Sequence, residues 1–148
     1  MGPDFPRQIR SIHGGLDGYS AGMPLRVGTD LVDTTVVAAS LRGQHRDHYL
    51  HRVYTDAEVD ACRGRSGRVE PERLAARFAA KEAAIKALPG AGEEVRLTQI
   101  EVIQDESGSV ELSLSGRAAE LFVESGAAEI AVSLTHEGGF AAATVVIA

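Results

Sequence analysis

The dominant element of this chain is predicted at residues 73–88, RLAARFAAKEAAIKAL. Alanine, leucine, arginine, lysine and glutamate are strong helix formers, so the segment predicts one long helix. At about 3.6 residues per turn, every fourth residue lies along one slowly drifting line on the helix surface. That line reads Leu74, Phe78, Glu82 and Lys86. An apolar stripe therefore continues into a carboxylate and then an ammonium group.

Glu82 has two interpretations. It forms a surface pair with Lys86 at i,i+4, worth about 0.2–0.5 kcal/mol. Alternatively, it lies at the edge of the core, where loss of water makes its charge costly unless it is paired or bound to a metal. The helix alone favours the surface pair, and the rest of the chain favours the second interpretation.

The segments around this helix predict an α+β domain with an antiparallel sheet on which the long helix packs. Pro71 begins the helix, and Pro89 and Gly90 end it. Thr55 and Glu58 have the spacing of a capping box, which predicts a short helix. Residues 34–50 are ambiguous and allow an interrupted helix. Strands are predicted at 25–33, 100–104, 110–114, 130–135 and 140–147, with a helix at 116–125.

Length and composition restrict the class of protein. A chain of 148 residues suits one domain. Residues 1–22, with two prolines and five glycines, are predicted to be a disordered tail before a domain at 23–148. No run approaches the ~20 apolar residues of a membrane span. The single cysteine, Cys62, cannot form an internal disulfide, which favours the cytoplasm and predicts a thiol without a catalytic role.

Charge points to the kind of partner. The net charge of −6 argues against a nucleic-acid binder. Eight arginines nevertheless lie between Arg42 and Arg77, which suits an anionic small molecule or an acidic protein partner. Three histidines, His45, His48 and His51, follow every third residue, but they spread too widely around one helix for a tight zinc site.

Three segments carry residues capable of chemistry. Asp30 lies inside a short apolar strand, Glu82 lies on the long helix with Lys81 and Lys86, and Thr135–His136 ends a strand. Two carboxylates from separate elements suit Mg²⁺, which usually takes one or two carboxylates together with substrate phosphates. A lysine and a histidine nearby can bind those phosphates.

These segments resemble the holo-acyl-carrier-protein synthase family of 4′-phosphopantetheinyl transferases. The first family motif, G-[I/T]-D-[I/L]-V-[E/D], is present as residues 28–33, GTDLVD. The second, R-[F/W]-A-A-K-E-A-x-x-K-A, is present without a mismatch at 77–87. The third, S-[L/I]-[S/T]-H, is present as SLTH at 133–136. The resemblance extends from about residue 23 to the end of the chain, and its second motif is highly specific.

The resemblance implies a reaction. The family transfers the phosphopantetheine arm of coenzyme A to a serine of an acyl carrier protein and leaves 3′,5′-ADP. Asp30 and Glu82 would hold Mg²⁺, and Lys86 would contact phosphate, with Lys81 as a second lysine in the cofactor site. Thr135 and His136 would lie against the nucleotide, and His136 is counted among the catalytic residues. Glu82 acting through water, or a water on the metal, would take the serine proton.

The resemblance also implies partners. Small family members form trimers whose sites are shared between neighbours, so a homotrimer is expected. The carrier would bind a basic helix, for which Arg42, Arg46 and Arg52 are the candidates. This chain has Val36 where the family commonly has an arginine, and Pro89–Gly92 where a Gly-Thr-Gly turn is common. Both departures affect what the site would bind.

Two other functions fit parts of the sequence. One is a catalytically degenerate scaffold that binds a carrier protein without modifying it. The other is a Mg²⁺-dependent hydrolase of nucleotide pyrophosphates, which would use the same carboxylates on water. The presence of Asp30, Glu82, Lys86 and His136 together argues against a scaffold, and the complete second motif favours the transferase.

Overall fold

A computed structural model describes residues 9–10 and 25–148. In chain order the elements are β1 (Ile9–Arg10), β2 (Arg26–Asp33), α1 (Thr34–Arg42), α2 (Arg46–Val53), α3 (Asp56–Ala61), α4 (Pro71–Ala87), β3 (Ile100–Gln104), β4 (Val110–Leu114), α5 (Gly116–Glu124), β5 (Ile130–Glu137) and β6 (Phe140–Ile147). A single 3₁₀ turn at Leu97–Gln99 precedes β3.

The long helix α4 is the centre of the domain. Ten of its 17 residues are buried, and seven of those are alanines. Alanine favours the helix and also lets neighbouring backbones approach closely, because its side chain is a single methyl group. The predicted line along α4 runs from the fully buried Leu74, through partly buried Phe78 and Glu82, to the exposed Lys86. Glu82 therefore lies at the edge of the core, where this line of residues begins to reach solvent.

The strands form two antiparallel sheets. The larger has the order β2-β6-β5, and the smaller has the order β1-β4-β3. The predicted α+β class with antiparallel strands packed on the long helix is confirmed, although the strands divide between two sheets. One face of the larger sheet packs on α4 through alternate residues of β6, namely Ala141, Ala143, Val145 and Ile147.

Gly28 in β2 sets the distance between that sheet and α4. A Cβ atom added at Gly28 would lie 1.9 Å from the carbonyl oxygen of Ala83, so only glycine allows this approach. Because β2 and α4 are in direct backbone contact here, residues two positions along the strand and one turn along the helix are brought together. These residues are Asp30 on the strand and Lys86 on the helix.

Several local predictions are confirmed. Both strands of the 100–114 hairpin have the predicted bounds. The second hairpin turns at Gly138 and Gly139, whose φ angles of 60° and 84° favour glycine. The ambiguous residues 34–50 form α1 and α2, with Asp33 capping α1. β1 lies within the predicted disordered tail and pairs with β4. The other residues of that tail, 1–8 and 11–22, lie outside the described residues.

Among the residues that the structure describes, no helix combines the length and apolar character that crossing a membrane requires.

Candidate active site

The structure brings three of the predicted site residues together at the junction of β2 and α4. The ammonium group of Lys86 donates to Asp30 Oδ1 at 2.9 Å and to the Thr29 carbonyl oxygen at 2.9 Å. Glu82 lies one helical turn before Lys86. Asp30 is 19% exposed and Lys86 is 54% exposed, so the cluster opens to solvent on one side.

Glu82 is the member of this cluster whose ionisation is perturbed. Burial raises the pKa of Glu82 above its ordinary value, and the negative charge of Asp30 raises it further. The nearby ammonium group of Lys86 lowers the pKa of Glu82, but by less. Two carboxylates are thus close enough to repel each other, and one lysine offsets part of that repulsion.

The donor set fits a magnesium ion that is completed by substrate. Within the described part of the chain, no group of three or more histidine, cysteine, aspartate or glutamate side chains is arranged to hold a metal. Asp30 and Glu82 carry hard oxygen donors, and a divalent cation between them would relieve their mutual repulsion. Mg²⁺ is commonly held by one or two carboxylates plus phosphates and water, so two protein ligands are sufficient.

Asp33, the second acid of the first motif, caps the N-terminus of α1. Its Oδ1 accepts hydrogen bonds from the Thr35 backbone N–H at 2.9 Å and the Thr35 hydroxyl at 2.7 Å. These bonds hold the pKa of Asp33 below its ordinary value, with the hydroxyl bond as the larger cause. Asp33 therefore starts α1 where β2 ends, and Asp30 is left as the motif acid that faces α4.

Thr135 and His136 lie apart from this cluster within one chain. His136 pairs with Ala141, which pairs with Val32, so the whole width of β6 separates it from β2. Successive side chains of a strand point to opposite faces. His136 lies on the face that packs on α4, and Thr135 lies on the outer face of the sheet; both are exposed.

Lys81 is not in the site, which corrects the prediction that it binds the cofactor. Its side chain is fully buried, and its ammonium group lies 2.7 Å from Glu58 Oε2. It also donates to the carbonyl oxygens of Leu97 at 2.9 Å and Ile100 at 2.7 Å. Burial lowers the pKa of Lys81, and the negative charge of Glu58 opposes that effect. No donor of this lysine is left for a phosphate.

Sequence reasoning recognised Glu58 only as a capping residue. The capping box is present, with Thr55 as its partner, but the Glu58 side chain is also fully buried and bound to Lys81. Arg77, the first residue of the second motif, is predicted only as one of eight basic residues that suit an anionic partner. It is 3% exposed, and its Nε has no partner among the described residues. The sequence does contain a signal for the burial of Arg77, because this charged residue lies on an otherwise apolar face of the helix.

The three arginines proposed for carrier binding lie at different places on α1 and α2. Arg42 ends α1 and is exposed, and Arg52 is exposed near the end of α2. Arg46 begins α2 and pairs with Asp47 at 3.2 Å. Arg46 also lines a cavity of about 360 Å³ between α2 and α3, which does not include Asp30, Glu82 or Lys86. That cavity is therefore separate from the predicted chemistry.

The remaining candidates have structural explanations. Cys62 is fully buried, and burial raises its pKa to about 11, so its thiol is protonated and shielded. His45, His48 and His51 are exposed and belong to no metal-binding group among the residues described. His51 Nδ1 lies 4.0 Å from Asp56 Oδ1.

Comparison with known proteins identifies the class. A family model described as the 4′-phosphopantetheinyl transferase superfamily matches residues 26–145. The chain belongs to this superfamily. More particularly, it is 41% identical over 126 residues to a holo-acyl-carrier-protein synthase of Trichlorobacter lovleyi, across 84% of this chain and 98% of that one.

Solved structures agree with this assignment. The ACPS–CoA complex of Chronobacterium ammoniagenes superposes with a TM-score of 0.72 at 33% identity, covering 84% of this chain and 97% of that one. The Bacillus anthracis holo-acyl-carrier-protein synthase, in complex with CoA (3′,5′-ADP), superposes with a TM-score of 0.63 at 28% identity, covering 82% and 94%. The family predicted from the three sequence motifs is therefore confirmed.

Proposed function

We propose that this protein transfers the 4′-phosphopantetheine arm of coenzyme A to a serine hydroxyl of an acyl carrier protein. The serine oxygen bonds to the phosphorus that carries the pantetheine arm, and the bond from that phosphorus to the bridging pyrophosphate oxygen breaks. The departing group is 3′,5′-ADP, which keeps the bridging oxygen and its electron pair. The observation that carries the proposal is the grouping of Asp30, Glu82 and Lys86 in a member of this superfamily.

Asp30 and Glu82 are the residues that would hold Mg²⁺ in this proposal. When bound, the ion neutralises phosphate charge and orients the pyrophosphate. Glu82 has the further role of accepting the serine proton through a water molecule.

Lys86 would stabilise the negative charge that develops on the leaving phosphate. Its ammonium group is held by Asp30 and by the Thr29 carbonyl oxygen, yet more than half of its side chain is exposed. Two bonds fix its position, and the third donor remains for a phosphate oxygen. A positioned cation aimed at developing charge is the main requirement of phosphoryl transfer.

The outer face of the larger sheet supports a homotrimer with shared sites. Its side chains alternate with those that pack on α4, and many are apolar and exposed. Leu31 is 66% exposed and Val27 is 58% exposed. Neighbouring side chains on the same face are Ala131, Phe140, Ala142 and Val146. Thr135 also lies on this face, so a neighbouring protomer placed against it would bring Thr135 into a shared nucleotide site.

We expect Leu31→Glu to produce monomers, because it places a charge in the middle of the apolar face. Light scattering coupled to size exclusion would measure the mass. Val36→Glu is the matched control, since Val36 is similarly exposed at 63% but lies on α1. A wild-type protein that is monomeric, or a Leu31→Glu variant that stays trimeric, would contradict the proposed assembly.

The carrier would approach the basic ends of α1 and α2. Arg42 and Arg52 are exposed there, and acidic helical carriers would complement their charge. Val36, on the first turn of α1, stands where the family commonly has an arginine, which predicts a carrier interaction less sensitive to salt than that of an arginine-bearing helix. The proposed location is the cytoplasm, where thiols such as Cys62 remain reduced.

The direct test is the intact mass of an acyl carrier protein after incubation with this protein, coenzyme A and Mg²⁺. We expect a gain of ~340 Da, the mass of the transferred arm, and no gain when EDTA removes the metal. Release of one 3′,5′-ADP for each arm transferred would account for the rest of the coenzyme A molecule. Hydrolysis of coenzyme A without a change in carrier mass would instead identify a pyrophosphate hydrolase.

A further inference from the structure

The fully buried ion pair between Lys81 and Glu58 lies beside the proposed site but outside it. All donors of the Lys81 ammonium group are engaged, by Glu58 Oε2 and by the carbonyl oxygens of Leu97 and Ile100. Glu58 Oε1 accepts from the Val102 N–H at 2.8 Å, and Glu58 Oε2 also accepts from the Thr55 N–H at 2.9 Å. The network is therefore fully satisfied without water.

Stability alone is a weak explanation for this pair. The cost of removing two charges from water is comparable to the energy of their attraction, so apolar pairs of the same size are often equally stable or more stable. A fully satisfied buried network does, however, fix the relative positions of the elements that it joins. Here Glu58 belongs to α3 and Lys81 to α4, while Ile100 and Val102 belong to β3. Leu97 belongs to the 3₁₀ turn that precedes β3.

The position of Lys81 on α4 relates this network to Glu82. Consecutive helical residues are separated by about 100° around the axis. Lys81 and Ala83 therefore flank Glu82 on its two sides. Ala83 is fixed by its backbone contact with Gly28, and Lys81 is fixed by Glu58 and the two carbonyl oxygens. Together the two contacts oppose rotation and sliding of α4 at Glu82.

We propose that Lys81 and Glu58 are positioning residues, which hold the Glu82 carboxylate at the distance from Asp30 that a divalent cation requires. The inference rests on the proposed function, because it takes Glu82 as a metal ligand. Partners that orient metal ligands typically change metal affinity or activity by about 10- to 100-fold when removed. Displacements of about 1 Å in a catalytic site have effects of similar size.

The test compares the double variant Lys81→Met/Glu58→Gln with the wild type. The double variant removes both charges together, so no unpaired charge remains buried, and the introduced amide oxygen can still accept from the Val102 N–H. Mn²⁺ binding in the presence of coenzyme A, followed by electron paramagnetic resonance, measures the metal site without turnover. We expect an increase of about 10- to 100-fold in the Mn²⁺ dissociation constant and a similar fall in kcat, with the KM for the carrier unchanged.

The control is Phe122→Ala, because Phe122 is also buried but lies on α5, which carries no residue of the network or of the proposed site. We expect it to lower Tm at least as much as the double variant while leaving Mn²⁺ binding unchanged. The inference is wrong if the double variant binds Mn²⁺ like the wild type, or if Phe122→Ala weakens binding equally. Should the double variant not fold, Lys81→Arg replaces it with the same criteria, because arginine keeps both charges buried as a pair but changes the geometry of the donors.

Measurements on the wild-type protein distinguish failure of the proposed reaction from failure of the proposed positioning role. If wild-type protein binds Mn²⁺ with coenzyme A but transfers no arm, the proposed reaction fails, and the positioning role is still decided by the Mn²⁺ titrations. If wild-type protein binds no Mn²⁺, both the metal site and the positioning role are wrong.

Discussion

Glu82→Gln is expected to lower kcat for arm transfer by at least about 100-fold while the protein remains folded and still binds the carrier. Glutamine has the size of glutamate but can neither ligate Mg²⁺ as an anion nor accept the serine proton. The intact-mass assay gives the rate, and carrier binding is measured separately by calorimetry. Glu72→Gln is the matched control, because Glu72 is exposed on the first turn of the same helix and should leave the rate unchanged.

The same substitution should raise Tm at pH 7 in EDTA. The folded protein raises the pKa of Glu82 above the ordinary 4.5, chiefly by burial and then by repulsion from Asp30. A carboxyl group with a raised pKa contributes stability below pH 4.5, and that contribution is lost as pH rises through the folded-state pKa. The charged Glu82 is therefore destabilising at neutral pH, and glutamine removes that effect.

Thermal unfolding at pH 7 and near pH 4.5 checks the sign. The Tm advantage of Glu82→Gln should be present at pH 7 and shrink towards pH 4.5. If Glu82→Gln keeps every activity of the wild type, the result supports a scaffold that binds a carrier protein without modifying it. A lower Tm at pH 7 would show that Glu82 makes a favourable charge interaction in the metal-free protein.

Gly28→Ala is expected to have the largest effect on stability. Its methyl group would lie 1.9 Å from the Ala83 carbonyl oxygen, which is backbone and cannot rotate away. Relief requires α4 to move away from β2, and forced repacking of this kind costs about 1–3 kcal/mol or more. At about 2–4 °C per kcal/mol for a domain of this size, Tm should fall by several degrees.

The movement of α4 should also reduce activity, because it separates Asp30 from Glu82 and Lys86. Gly43→Ala is the control: its added Cβ would meet nothing closer than 3.6 Å, and Gly43 has a negative φ. Calorimetry and the transfer assay would be run on both variants. A Gly28→Ala protein with the Tm and rate of the wild type would show that the sheet and helix tolerate the wider spacing.

Local patterns predicted much of the fold. The alternation in 100–104 and 110–114 gave the bounds of β3 and β4, since a period of two is specific to strands. The prolines and glycines around 73–88 gave the ends of α4 closely. Residues 34–50 were ambiguous because β-branched residues favour strands, whereas the Asp33 cap and packing on α4 decided for helix.

The sequence by itself determined the family and the long helix, and it predicted Asp30, Glu82 and Lys86 as site residues, because all of these depend on residue type and spacing along the chain. Only the tertiary structure decided which of two adjacent residues faces the core and which faces the site. Lys81 and Glu82 are neighbours in one motif, yet a rotation of about 100° sends the lysine into the core to meet Glu58 and leaves the carboxylate at the edge. Thr135 and His136 are divided in the same way by the pleat of β5. Which neighbour faces the core depends on elements distant in the sequence, and no local pattern contains that information.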